Sequence, residues 1–124
     1  MQVVRSGVIL KTERQQECVE FYREVMGLYL LFADDFLTCF AWSGAYLMIE
    51  PLGQGDITGS QGNLVLRFHV DDIGAQKARL EAMGVPLSHA KFDWGEILSL
   101  EDPAGNRIEL KDAATFEQQI RQGH

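Results

Sequence analysis

Short segments of alternating apolar and polar residues run through this chain, and each predicts a β-strand with one buried face. After the first such segment, Cys18, Phe21 and Val25 recur at helical spacing and predict an amphipathic helix. Thr12 and Gln15 have the spacing of a capping box at its start, and Gly27 is a natural end. The first half is therefore predicted as strand, helix and three strands, at residues 3–11, 13–26, 28–34, 36–42 and 45–50.

The same order of elements recurs after a linker at residues 52–62, which contains four glycines. The second helix, capped by Asp71 or Asp72, extends to about Met83 and meets Gly84 as the first meets Gly27. This match indicates an internal duplication. The remaining elements are predicted as strands at Asn63–Val70 and near 86–91, 96–101 and 106–111, and a closing helix at Ala113–Gln122.

One helix in each copy covers one face of its sheet, so the opposite face is left to line a hollow. The residues predicted to lie under the helices are apolar and alternate along the strands: Val8, Leu10, Ala45, Leu47, Ile49, Leu64, Leu66, Phe68, Val70, Ile108 and Leu110. The predicted fold class is α+β, with tandem βαβββ modules that form a curved mixed sheet around a cavity and carry their helices outside. The predicted domain spans residues 1–112 (module 1 about 1–51, module 2 about 63–112), followed by a C-terminal helix or tail at 113–124.

Composition and charge exclude several classes of protein. A chain of 124 residues fits one compact domain, and its net charge of −7 argues against nucleic acid while remaining compatible with cationic ligands. No apolar run approaches the roughly 20 residues that span a bilayer, and the N-terminus shows no secretory signal. We therefore expect a cytoplasmic protein without a membrane partner. Cys18 and Cys39 are expected to be buried free thiols.

Three passages resemble the vicinal oxygen chelate superfamily, which includes glyoxalase I, bleomycin-resistance proteins and extradiol dioxygenases. Glu20–Leu28 is similar to the first helix of that family, Phe68–Ile73 to the entry into its second helix, and Asp102–Leu110 to its final hairpin. The resemblance covers about residues 3–111 and implies the paired-module fold. It also implies a homodimer, which the exposed sheet edges of such small modules favour independently.

Metal-dependent members of that superfamily resemble one another in four inward-facing positions, usually His, Glu or Gln, which hold a divalent ion that polarises substrate oxygens. The resemblance places these positions at Gly7, Met48, Val65 and Glu109, of which only Glu109 carries a suitable donor. Shifting the alignment by two residues adds only Glu50 as a good ligand. We therefore expect no cofactor, and a chain closest in kind to the metal-free bleomycin-resistance-like members.

Strand alternation places the candidate site residues on the inner face. Glu109 and His69 are the candidate catalytic acid and base, although His69 also fits a strand-end histidine beside a carboxylate. Arg67 either forms a structural ion pair with Glu109 or clamps a ligand carboxylate or phosphate, and Trp94 either stacks on a planar ligand or packs against a partner subunit. The candidate ligand-binding residues are Arg67, Tyr46, Met48, Glu50, Trp94, Ser99 and Arg107.

Two turns affect how far this face extends. A two-residue turn at Ser43-Gly44 would bring Cys39 and Ala41 to the inner face, whereas a slip of one residue would bring Phe40 and Trp42 there. The corner formed by Phe32, Asp34, Asp35 and Phe36 is either a rim that meets a cationic ligand or an exposed turn.

The sequence favours a binding protein that sequesters an aromatic drug or metabolite without a metal. The alternative is a glyoxalase-like lyase or isomerase that uses Glu109 with a degenerate metal site. A regulatory module that binds a partner protein is a third hypothesis, which no residue specifically supports.

Overall fold

The computed structural model describes residues 1–53 and 64–123, and the chain divides into two compact units, Met1–Ser60 and Gln61–His124. Unit 1 contains β1 (Gly7–Thr12), α1 (Gln15–Glu20), a π-helical turn (Phe21–Val25), β2 (Leu30–Ala33), β3 (Thr38–Trp42) and β4 (Ala45–Pro51). Unit 2 contains β5 (Val65–Val70), α2 (Ile73–Ala82), β6 (Ser88–Phe92), β7 (Gly95–Glu101), β8 (Arg107–Asp112) and α3 (Ala113–Gln122). The predicted order of elements is confirmed, while the predicted linker lies outside the described residues from position 54 onward.

Each unit forms a mixed four-stranded sheet, which confirms the α+β class. The strand orders are β1-β4-β3-β2 and β5-β8-β7-β6, with β1 parallel to β4 and β5 parallel to β8. Gly7 pairs with Tyr46 in the first parallel pair, and Val65 pairs with Arg107 in the second. The two sheets therefore repeat one topology, with one parallel pair at the corresponding edge of each, as an internal duplication predicts.

The helix-facing side of each sheet forms a small apolar core. The central side chains predicted to lie there are at most 3% exposed: Leu10, Leu47, Ile49, Leu66, Ile108 and Leu110. Tyr22 and Leu80, from the helical segments, are fully buried. The remaining predicted core positions Val8, Ala45, Leu64, Phe68 and Val70 are partly exposed. Burial of this kind contributes roughly 1.5–3 kcal/mol per large apolar side chain.

The Ser43-Gly44 turn is confirmed as a two-residue hairpin, because Trp42 pairs with Ala45 across it. Cys39 and Ala41 consequently pair with Met48 and Tyr46 and share their face. Neither Cys18 nor Cys39 is in a disulfide, and both are buried, as expected. No helix in the described ranges is long and apolar enough to cross a bilayer.

The start of the chain differs from the prediction in three respects. The first strand begins at Gly7, so the predicted extension to residue 3 is wrong. The capping box is also wrong, because Thr12 Oγ1 accepts from the Arg14 amide and Gln15 Nε2 donates to the carbonyl of Phe36. The first helix becomes π-helical after Glu20, which inserts an additional residue before its end.

The two helices end in left-handed glycines, as predicted. Gly27 has φ 68° and Gly84 has φ 76°, a region that residues with a Cβ atom adopt only at a cost. Beyond each glycine, the amide of Leu28 donates to the Tyr22 carbonyl and that of Val85 to the Leu80 carbonyl, both at 3.0 Å. The first link is one residue longer than the second, because the π-helical turn adds a residue there.

Gly84→Ala is expected to lower the free energy of unfolding by about 1 kcal/mol, because alanine must adopt the left-handed conformation. Gly74→Ala, within α2, is the matched control: its new Cβ would meet only Asp72 Oδ1, at 3.5 Å. That control is expected to raise stability by roughly 0.5–1 kcal/mol. Urea denaturation followed by circular dichroism measures both, and a Gly84→Ala protein as stable as Gly74→Ala would contradict the assignment.

Candidate functional site

The sheet face of unit 1 opposite its helix carries a shallow apolar groove of about 270 Å³. Its lining residues come from the N-terminal segment and from three strands: Arg5, Leu31, Phe32, Cys39, Tyr46 and Met48. Cross-strand pairing brings Phe32, Cys39 and Met48 into one row. Two of the predicted ligand-binding residues, Tyr46 and Met48, therefore lie together. The third residue predicted on this strand, Glu50, pairs in register with Lys11 farther along the sheet and is not part of the lining.

A β-bulge in β2 widens this apolar lining. Leu30 pairs with Phe40 and Phe32 with Cys39, so Leu31 is an extra residue between two paired neighbours. A bulge re-aims side chains, which allows the consecutive residues Leu31 and Phe32 both to line the groove. Strict alternation assigns consecutive residues to opposite faces, and the sequence prediction therefore missed Leu31.

The Tyr46 ring occupies the space above Gly7, the first of the four positions that the resemblance implies for metal ligands. A Cβ atom built on Gly7 would overlap the ring carbons of Tyr46. With the ring in this position, residue 7 has no room for a Cβ atom unless the ring shifts. The neighbouring position of the same unit is Met48, whose thioether is a poor ligand for hard cations.

In unit 2, the equivalent face carries an ion-pair cluster centred on Glu109. Arg67 Nη2 lies 2.6 Å and Nε 3.0 Å from Glu109 Oε1, and Arg107 Nη2 lies 3.0 Å from Oε2. The Glu109 side chain is 10% exposed, whereas those of Arg67 and Arg107 are 39% and 59% exposed. The predicted Arg67–Glu109 pair is present, and Arg107 completes it by holding the second oxygen.

Trp94 lies over the cationic side of this cluster, in the turn between β6 and β7. Its ring stacks on Phe92 with 4.7 Å between centroids, and Arg67 Cζ lies 5.8 Å from the Trp94 centroid. Trp94 also lines a groove of about 320 Å³ with Asp93, Thr115, Gln118, Gln119 and Gln122. A planar ligand on Trp94 would therefore compete with Phe92 or with the arginine.

Lys111 is an inner-face residue that sequence reasoning left without a role. It is only 1% exposed, and its Nζ donates to Thr115 Oγ1 at 2.6 Å. The same Nζ lies 5.9 Å from the Trp94 ring and 5.7 Å from the Phe116 ring, within cation–π range. The sequence feature that could have indicated this arrangement is the three-residue spacing of Asp112 and Thr115, which is typical of a helix N-cap. Asp112 accepts from the Thr115 amide at the start of α3.

His69, the candidate base, pairs in register with Lys111 and contacts the Phe116 ring edge to face at 4.6 Å between centroids. Burial, followed by the charges of Lys111 and Arg67, lowers the pKa of His69 below its usual 6.5. Within the described ranges no hydrogen bond joins His69 to Glu109. The structure therefore does not join the two candidate catalytic residues by a hydrogen bond.

Ser99 lies beside Glu109 in register and faces Ser88 across the other edge of β7. A groove of about 310 Å³ follows this row and is lined by Ser88, Ser99, Leu100, Glu101 and Arg107. The remaining histidine with a described side chain, His89, lies 2.8 Å from Glu96 Oε2.

In unit 1, the corner at Phe36 is an exposed turn, in which Asp34 Oδ1 accepts from the amides of Phe36 and Leu37. Those amides lower the pKa of Asp34.

The side chains at the four positions that the resemblance implies for metal ligands do not fit a divalent metal. Gly7 and Val65 have no donor atom, Met48 offers a thioether, and each Glu109 oxygen already accepts from an arginine. Across residues 1–53 and 64–123, no three His, Cys, Asp or Glu side chains gather in a chelating arrangement. The chemistry that these faces support is apolar contact in unit 1 and charge-assisted hydrogen bonding in unit 2.

Comparison with known proteins is consistent with this fold. The Glyoxalase/Bleomycin resistance protein/Dioxygenase superfamily matches residues 7–110, so the chain belongs to that superfamily. No curated protein sequence matches the chain.

Solved structures of similar fold include proteins of different activity. TnmS3, an antibiotic binding protein from Streptomyces sp. CB03234, is 24% identical with a TM-score of 0.75, over 90% of this chain and 96% of its own. Lactoylglutathione lyase from Agrobacterium tumefaciens is 22% identical with a TM-score of 0.71, over 87% and 92%. A glyoxalase/bleomycin resistance protein/dioxygenase from Nocardioides is 17% identical with a TM-score of 0.71, over 90% and 83%. At these identities, the likeness establishes the fold alone.

Gly7→Ala is expected to lower the free energy of unfolding by about 2 kcal/mol, because the new methyl group forces the Tyr46 ring out of its site. In a Tyr46→Ala background the same substitution should cost less than about 0.5 kcal/mol, since the ring is gone. Urea denaturation of the four proteins gives the coupling. Equal costs in the two backgrounds would mean that the ring does not require glycine.

The His69 ring is expected to titrate below pH 6.5, and Phe116→Ala should raise its pKa by exposing the ring to water. Because the folded pKa is lowered, protonation favours unfolding: the stability contributed by neutral His69 is full above about pH 6.5 and is lost as the pH falls through the folded pKa. NMR of the ring protons measures the midpoint. Ile120→Ala, on the same helix, is the control, and a wild-type midpoint above 6.5 would refute the assignment.

Proposed function

We propose that this protein binds a planar aromatic small molecule in the apolar groove of unit 1, without a metal ion. The observation that carries the proposal is the groove itself, in which Leu31, Phe32 and Met48 meet on one sheet face. Its volume of about 270 Å³ lies near the lower limit of about 300 Å³ for small-molecule pockets, which favours a body of one or two rings. Such a ligand would be held by displacing water from apolar side chains.

Metal independence is supported by what surrounds Glu109, the sole suitable donor among the four inward-facing positions. Two guanidinium groups already neutralise its carboxylate. A divalent ion at the same oxygens would be repelled by both arginines, at about 4 kcal/mol per pair of unit charges 4 Å apart at an effective dielectric of about 20. The alternative of a glyoxalase-like lyase or isomerase with a degenerate metal site at Glu109 has correspondingly less support.

Three further kinds of expectation remain part of the proposal: the oligomeric state, the roles of other site residues and the location. Homodimer formation is supported by β2, an edge strand whose Leu30, Leu31 and Phe32 are 42%, 44% and 51% exposed. Arg67 as a clamp for a ligand anion, Glu109 and His69 as acid and base, and Ser99 and Arg107 as ligand contacts stay predictions. A cytoplasmic location also stays a prediction.

The test uses protein whose methionine methyl groups carry ¹³C, titrated with naphthalene-2-carboxamide and other planar two-ring compounds. The Met48 methyl signal is expected to shift on binding, while that of Met83, in unit 2, stays in place. Neither chelator nor added zinc or nickel should change the Kd by more than about twofold.

In calorimetric titrations, Met48→Trp is expected to fill the groove and abolish binding, whereas Met83→Trp, the same substitution at an exposed residue of unit 2, should leave binding intact. A Met48 signal that does not respond to any compound would end the proposal. Binding that disappears on chelation would instead favour the metal-dependent alternative.

A further inference from the structure

We propose that the ligand of the unit 1 groove is an organic anion: a planar apolar body whose single carboxylate or equivalent oxyanion is held by Arg5. The inference rests on the proposed function and specifies the class of molecule. It differs from the expectation of a cationic ligand that the overall charge of −7 first raised.

The chemistry of the lining supports this class. Five of the six lining side chains are Leu31, Phe32, Cys39, Tyr46 and Met48, and Arg5 is the one charged member. The lining is almost wholly apolar, so Arg5 contributes the carbon atoms of its side chain to it, and a ligand oxyanion would meet the guanidinium at the edge of the groove. Guanidinium groups bind carboxylates and other planar oxyanions through paired N–H donors.

Arg5 is positioned beside the groove and differs from the other arginines of its unit in its charge partners. The adjacent Ser6 carbonyl accepts from the Tyr46 amide at 3.1 Å, which ties this part of the chain to a groove-lining residue. Arg14 pairs with Glu17, and Arg23 with Glu24. Within residues 1–53 and 64–123, no carboxylate pairs with Arg5.

Arg5 is close enough to Cys39, a lining residue, for its charge to act on the thiol. Burial raises the pKa of the Cys39 thiol, and the charge of Arg5 acts in the opposite direction on the same thiol. The net charge of the whole chain acts from farther away and is screened beyond about 8 Å at physiological ionic strength. Neither carboxylate of the corner, Asp34 or Asp35, is among the lining residues, and Asp34 accepts from the backbone amides of its own turn.

Three naphthalene probes of one shape separate the effect of charge from that of apolar contact: naphthalene-2-carboxylate, naphthalene-2-carboxamide and naphthalen-2-ylmethylammonium. Titration followed by the Met48 methyl signal and by calorimetry gives each Kd. The carboxylate should bind about tenfold more tightly than the amide, a difference of about 1.4 kcal/mol. The ammonium should bind more weakly than the amide, and added salt should reduce the differences among the three Kd values.

Arg5→Gln is expected to weaken binding of the carboxylate about tenfold and to leave the amide within about twofold. Arg23→Gln, which removes an exposed arginine of the same unit outside the groove, is the matched control and should change neither. A loss of binding for both probes in Arg5→Gln would mean that Arg5 contributes packing alone and would overturn the inference.

The remaining outcomes separate this inference from the proposed function. If the three probes bind equally at Met48, the groove binds aromatic molecules and the assignment of charge is wrong. If the ammonium binds most tightly, the ligand class is cationic and the inference is overturned. If no probe moves the Met48 signal, the proposed function and this inference fail together.

Discussion

The parallel pairing of the first and last strand in each unit is the constraint on which both faces of each sheet depend. β1 pairs with β4 and β5 with β8 in fixed register, so each residue of these paired strands faces either the helix or the opposite side of its sheet. A slip of one residue would exchange the two faces. The buried Leu47 and Ile108 resist that slip, because it would move them into water and bring Tyr46 or Arg107 under a helix.

With this register, the sheet faces opposite the helices carry different kinds of side chain in the two units. In unit 1 an aromatic ring lies over a glycine, which leaves an apolar surface beside it. In unit 2 two guanidinium groups surround one carboxylate, which leaves a polar surface. The pairs with Glu109 are half-exposed on the arginine side, so their contribution lies between the roughly 0–1 kcal/mol of surface pairs and the larger values of buried ones.

Much of this arrangement follows from the sequence. The strands, the helix ends at Gly27 and Gly84, the Ser43-Gly44 hairpin and the Arg67–Glu109 pair are local in origin or follow from alternation, and they are confirmed. Alternation does not reveal an irregular residue. The π-helical turn after Glu20 and the bulge at Leu31 each add one residue to a regular element, and such additions depend on the packing around them.

The third feature beyond prediction is the position of α3, which depends on polar contacts. None of its side chains is buried, and Phe116 and Ile120 are 38% and 44% exposed. Its N-terminus is nevertheless fixed, because Asp112 accepts from the amides of Glu96 and Thr115 while the buried Lys111 donates to Thr115. Burial acts to raise the pKa of Asp112, but these donors and Lys111 outweigh it and lower the pKa to about 2. Polar anchoring at one end with little apolar burial along the rest places α3 among the segments that open locally at low cost.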